Sequence, residues 1–186
     1  MHDGQTVTGP RLIYAAHVPV PLSQLAMKLF VNPKPDADPT VPGLVWEAPP
    51  TKLTDSGHWE MTDAGQAMMR PRAGEPLIFM VEKGTATNNP FAMGVTVGRV
   101  ESNDVVVDDG SVSRFHAWLQ RDERTKDWSL TDAESKNGTW VDGVQLAGKQ
   151  RVVLRDGAKL KFGDVQMEFF LPAALKHFVG LRFKAK

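Results

Sequence analysis

The segment GRVESNDVVVDDGSVSRFHAWL, residues 98 to 119, gathers Arg99, Ser113, Arg114 and His116 around short apolar runs. Further on, Lys136 and Asn137 stand just before another apolar run, TWV. A guanidinium presents a planar fork to a pair of anionic oxygens, a hydroxyl adds a short hydrogen bond, and an ammonium supplies a mobile point charge. Together they suit a phosphoryl group, which carries about −1.5 to −2 charges and three acceptor oxygens at neutral pH. The Asn137 carboxamide can do something different, engaging a peptide backbone as donor and acceptor at once. Hydrolysis by Ser113, His116 and Asp132 is disfavoured, because nothing resembles a G-x-S-x-G nucleophile elbow. Serine and histidine three apart on a strand would also face opposite ways. His116, next to Phe115, reads as a loop brace bonded to backbone rather than an acid or base. Asp108-Asp109 fits a turn, and no His or Cys cluster has metal-ligand spacing. No catalytic residue, metal or cofactor is expected.

These donors must be held by the elements between them. Short β-prone runs recur from residue 77 onward: LIFMV, GVTVG, DVVV, FHAWLQ, WSLTD, TWV, RVVL, KLKFG and VQMEFF. They are punctuated by Asp109-Gly110, Asn137-Gly138, Asp142-Gly143 and Asp156-Gly157, whose residues tolerate positive φ and close tight turns. Most connections are therefore expected to be hairpins. Leu160 and Phe162 alternate with Lys159 and Lys161, and Val165, Met167 and Phe169 alternate with Gln166 and Glu168. Each of these strands has one wet face. With no helical run of crossover length between the strands, the pattern points to an all-β sandwich.

Eleven of the thirteen prolines lie at or before Pro76, so residues 1–74 read as an irregular Pro-rich extension. Its one helical candidate is PLSQLAMKLF, where Leu22, Leu25, Ala26 and Leu29 share a face. Trp46 and Trp59 suggest that parts of the extension dock. At the other end LPAALKHFVG places Leu171, Leu175, Phe178 and Val179 on one helical face, with Gly180 as a plausible stop. Residues 172–186 carry Lys176, Arg182, Lys184 and Lys186 with no acid, a basic tail read as a solvated face.

At four ordered places the sequence resembles the forkhead-associated (FHA) domain, a reader of phosphothreonine peptides. The places are Gly98-Arg99, SVSRFHA around Ser113 and His116, LTDAESKNGTWVDG with Ser135, Asn137 and Gly138, and LRDGAKLKFG near the end. The resemblance covers about residues 75–171 and implies a β-sandwich of two antiparallel or mixed sheets whose loops bind the peptide at one end. It implies phosphate contacts from Arg99 and Ser113, with Arg114 and Lys136 lining the same site. Asn137 matches the residue that pins the peptide backbone, while Gly98, His116, Ser135 and Gly138 match positions that shape the loops. The implied partner is a phosphothreonine-containing protein, a Ser/Thr kinase or its substrate, in signal transduction. A preference for phosphothreonine over phosphoserine rests on the resemblance alone.

The totals fit that reading. Twenty-two basic and twenty-two acidic residues cancel, so no global field argues for nucleic acid. Residues 75–171 hold twelve Lys/Arg and fifteen Asp/Glu, a net of minus three that suits one concentrated anion better than a polyanion. There is no cysteine, no long apolar run and no secretory signal, so a cytoplasmic protein without a membrane span is expected. The alternative is a structural or oligomerising FHA-like scaffold whose pocket is unused. Threonines 40, 51 and 54 are candidates for phosphorylation that would let the extension occupy the pocket.

Overall fold

The computed structural model describes residues 19–33, 37–49, 74–84 and 94–184; Thr51, Thr54, Trp59 and Lys186 lie outside them. In chain order the elements are β1 (Val20–Pro21), α1 (Leu22–Ala26) continuing into a wider turn over Met27–Val31, β2 (Gly43–Trp46), β3 (Leu77–Met80), β4 (Val95–Gly98), β5 (Val105–Val106), β6 (Ala117–Arg121), β7 (Trp128–Asp132), β8 (Thr139–Val141), β9 (Val144–Gln145), β10 (Arg151–Leu154), β11 (Ala158–Phe162), β12 (Val165–Phe170) and α2 (Pro172–Lys184).

Two sheets face each other. One has seven strands in the order β1-β3-β2-β12-β11-β8-β9, and the other five in the order β10-β7-β6-β4-β5. All neighbours are antiparallel except β4 and β5, whose Val97 lies opposite Val105 in a parallel pair. Period-2 alternation sends Leu160, Phe162, Val165, Met167 and Phe169 inward against Val97, Leu119 and Leu130 of the second sheet, forming the main core. Their polar alternates, Lys159, Lys161, Gln166 and Glu168, sit on the outer face as the sequence indicates.

The first sheet also takes a central strand from within the Pro-rich extension. β2 lies between β3 and β12, with Leu44 opposite Phe169 and Phe79. Leu44 and Trp46 enter the main core, whereas Val45 and Ile78 face outward and are covered by α1 and α2. Burial on both faces leaves GLVW without alternation, so it carries no amphipathic signal. The helix anticipated over residues 21–30 forms, with Leu22, Leu25, Ala26 and Leu29 all buried.

Helix α2 does not stop at Gly180. A β-carbon there would lie 3.1 Å from the Phe30 ring, so the glycine allows close approach between helical segments rather than termination. Two of the basic side chains in this helix are paired: Lys176 with Asp38 at 2.6 Å and Arg182 with Glu47 at 2.6 Å.

The expectation that hairpins dominate also needs correction. Asp142-Gly143, with φ of 49° and 83°, does close a two-residue hairpin between β8 and β9. The connections holding Asn137-Gly138 and Asp109-Gly110 are different. β7 and β8 belong to opposite sheets, and β5 and β6 are separated by β4. A sandwich requires such crossings, and these two loops are therefore crossings rather than hairpins.

Candidate functional site

Three loops meet at one end of the sandwich: residues 99–104 between the neighbouring parallel strands β4 and β5, 107–116 after β5, and 133–138 after β7. The tight turn Gly163-Asp164 between β11 and β12 joins them. All nine residues singled out from the sequence lie in or beside these loops.

The first two loops are tied by backbone. Arg99 donates its N–H to the Ser113 carbonyl at 3.1 Å, and His116 donates its N–H to the Val97 carbonyl at 2.9 Å. Glycine at 98 is required by this closeness, since a β-carbon would lie 2.2 Å from the Arg114 carbonyl oxygen. The Asn103 side chain bridges the same two loops, donating to the Arg114 carbonyl at 2.7 Å.

His116 joins the second loop to the third. Its Nδ1 accepts the Ser113 N–H at 2.9 Å, which places the ring proton on Nε2, where it is donated to the Gly138 carbonyl at 3.0 Å. The ring is fully buried, edge-on to Phe162. Burial lowers its pKa below the usual histidine value, although the Gly138 bond and the charge of Asp132 oppose that shift. The neutral imidazole is thus a two-ended brace between backbone groups. Gly138 reaches it with φ of 83°, a conformation that favours glycine.

Asp132 organises the third loop. It is buried at the end of β7, accepts the Ser135 N–H at 3.1 Å and the Ser135 hydroxyl at 2.6 Å, and accepts the Thr139 hydroxyl as well. The third loop also bonds to the second: Lys136 donates its N–H to Ser113 Oγ at 3.0 Å, and the Asn137 amide donates to the Ser111 carbonyl at 2.7 Å. Ser111 is a hub in its own right. Its N–H and hydroxyl donate to Asp109, while its oxygen accepts the N–H of Asp164 at 2.9 Å.

The outcome is a rim on which the side chains of Arg99, Arg114, Lys136 and Asn137 are exposed and Ser113 is half-buried among them. None of the three cations pairs with a carboxylate among the described residues. Sequence reasoning missed Asn103, Asp104, Ser111 and this bracing use of Asp132. Their signal was present as Asx and Ser residues at strand ends and in the loops between them, where such side chains bond to nearby backbone.

Asp104 anchors the first loop from below. It has no exposed surface, and burial alone would raise its pKa. Hydrogen bonds from the Thr96 N–H, Lys83, the Gly84 N–H and the Thr96 hydroxyl outweigh burial and hold it below the usual carboxylate value.

The FHA domain family model matches residues 95–163, the stretch that contains all three loops. These residues form an FHA domain. The chain is 27% identical over 128 residues to the oxoglutarate dehydrogenase inhibitor of Corynebacterium diphtheriae, covering 67% of this chain and 85% of that protein. It is 29% identical over 82 residues to the transcriptional regulatory protein EmbR of Mycobacterium tuberculosis, covering 44% of this chain but only 20% of EmbR. Among solved structures, the N-terminal FHA domain of S. cerevisiae Rad53p in complex with a phosphothreonine peptide is similar at 24% identity and a TM-score of 0.39. That match covers 44% of this chain and 70% of the other. The described residues contain no helix long and apolar enough to cross a membrane, and no group of three or more His, Cys, Asp or Glu residues placed to hold a metal ion.

Proposed function

We propose that this FHA domain reads a phosphothreonine placed on a partner protein by a Ser/Thr kinase and so recruits that partner, without chemistry of its own. The observation that carries the reading is a set of three cations, Arg99, Arg114 and Lys136, none paired with a carboxylate among the described residues, on loops stitched around the Ser113 hydroxyl. Ser113 Oγ accepts the Lys136 N–H, which leaves its own proton for an anion. Arg99 supplies the guanidinium fork, Arg114 and Lys136 add positive charge, and the Asn137 carboxamide engages the peptide backbone beside the phosphate. Gly98, His116, Ser135 and Gly138 hold the loops. The partner of this reading is a phosphothreonine-bearing kinase or kinase substrate in the cytoplasm.

The test is calorimetric titration of the full chain with a phosphothreonine peptide library and the same peptides unphosphorylated. Micromolar affinity corresponds to about −8 kcal/mol and a charge-assisted hydrogen bond to about 1.5 to 3 kcal/mol, so Arg99→Ala should weaken binding roughly tenfold to a hundredfold. Equal affinity for both peptide forms, or native-like binding by Arg99→Ala and Ser113→Ala, overturns the proposal. Absence of binding by the native chain returns the domain to the scaffold alternative.

A further inference from the structure

Asn103 takes no part in the phosphate contacts proposed above, yet its side chain is one of the most enclosed polar groups at this end of the sandwich, at 3% exposure. Its amide donates both hydrogens to backbone carbonyls: to Val100 in its own loop at 2.8 Å, and to Arg114 in the next loop at 2.7 Å. Val100 follows Arg99 directly, so the two bonds grip the chain beside one guanidinium and at the residue bearing the other. We propose that Asn103 is a positioning residue, the clamp that sets the spacing between Arg99 and Arg114; this rests on the phosphothreonine reading.

The chemistry of the spot selects a carboxamide. Two carbonyl oxygens face a single side chain, so that side chain must donate twice and present no negative charge to them. A carboxylate of the same shape would repel both. Serine could satisfy one carbonyl and leave the other without a buried partner. Gly98 completes the clamp from beneath, because a β-carbon there would lie 2.7 Å from Asn103 Nδ2 and 2.2 Å from the Arg114 oxygen. The clamp is also seated. The next residue, Asp104, is pinned through its side chain to Thr96, Lys83 and Gly84, and its backbone N–H donates to the Thr96 hydroxyl at 2.9 Å. Asn103 therefore projects from a fixed point, and its reach decides how closely the two loops approach.

The test uses the full chain with Asn103→Ala and with Asn103→Asp, which keeps the shape and loses both donated hydrogens. Amide hydrogen exchange without ligand reads the loops directly. Exchange of the Arg99 N–H, which bonds the Ser113 carbonyl, should accelerate about tenfold in both variants while the amides of central strand β11 stay protected. With phosphothreonine peptide at low salt, the variants should bind about tenfold more weakly than the native chain. In an Arg99→Ala background the same change should cost less than about twofold, because the clamp acts through Arg99. Unchanged Arg99 exchange, or an equal loss of affinity in both backgrounds, overturns the proposal. So does loss of β11 protection in both variants, which would make Asn103 a general structural residue. If the native chain binds no phosphothreonine peptide, the recognition reading fails, and the exchange measurement alone decides whether the clamp exists.

Discussion

Ser113 Oγ accepts the backbone N–H of Lys136 at 3.0 Å, across a separation of 23 residues. The hydroxyl oxygen is thereby fixed, and two loops that share no sheet pairing are locked together by the group proposed to meet the phosphate. Ser113→Ala should therefore act twice, removing a phosphate donor and releasing the third loop. Ser113→Thr keeps the hydroxyl and should retain more affinity than Ser113→Ala, which is expected to fall roughly tenfold to a hundredfold in calorimetric titration. Equal losses in the two variants would remove the hydroxyl from the mechanism.

The His116 brace gives stability a pH dependence with a definite sign. Its folded pKa is lowered, chiefly by burial, so the unfolded chain binds the extra proton first. The stability contributed by the neutral ring is present above about pH 6.5, the ordinary histidine value, and is lost as pH falls toward the folded pKa. Protonation of Nδ1 would also set an N–H against the Ser113 N–H. Urea denaturation between pH 7.5 and 5 should show declining stability in the native chain and a flatter profile in His116→Gln. Identical slopes would refute this account.

Gly98→Ala should be costly although it adds one carbon. The new atom would meet backbone oxygen at 2.2 Å rather than a side chain that can swing aside. Overpacking of this kind costs about 1 to 3 kcal/mol, so the denaturation midpoint should fall and phosphopeptide affinity with it. A variant with native stability would show that the loops can separate freely.

Residues 75–171, the span that the sequence resemblance covers, should not fold alone. The fragment lacks β2, so it loses Leu44 and Trp46 from the main core and leaves β3 and β12 without the strand between them. It also lacks α2, whose Leu175 lies close to Gly43 and shares an apolar cluster with Ile78. Circular dichroism and amide dispersion should show a disordered fragment, while residues 19–184 unfold cooperatively. A folded 75–171 fragment would make the helical layer and β2 dispensable.

What the sequence discloses and what it hides have physical causes. Strands with one wet face, such as β11 and β12, announce themselves through alternation of Leu160 with Lys161 and of Met167 with Glu168. β2 does not, because Leu44 faces the core while Val45 faces the helices, and the prolines at 42 and 49 obscure it further. Gly180 has the composition of a helix stop but serves the contact with Phe30, a distinction visible only once both helical segments are placed. At the site, Arg99, Ser113, Arg114, Lys136 and Asn137 were legible because they fall within ordered motif pieces that together resemble the FHA domain; singly, each looks like an ordinary surface or turn residue. Asn103, Ser111 and Asp132 were not, since an Asx or Ser side chain turned toward nearby backbone looks in sequence like any turn former.

The two open sheets end in four strands, and these ends differ in what they offer a neighbour. β1, β5 and β9 each contain two residues, and Pro21 in β1 has no N–H to give. Among the described residues, only β10 is long enough to template a foreign strand, and Val153 lies exposed along it. Arg151 opens that strand and Arg155 follows it, so an incoming chain must lie down beside two cations. Among the described residues, self-templated aggregation is thus confined to one guarded border, away from the loops proposed to hold a partner chain.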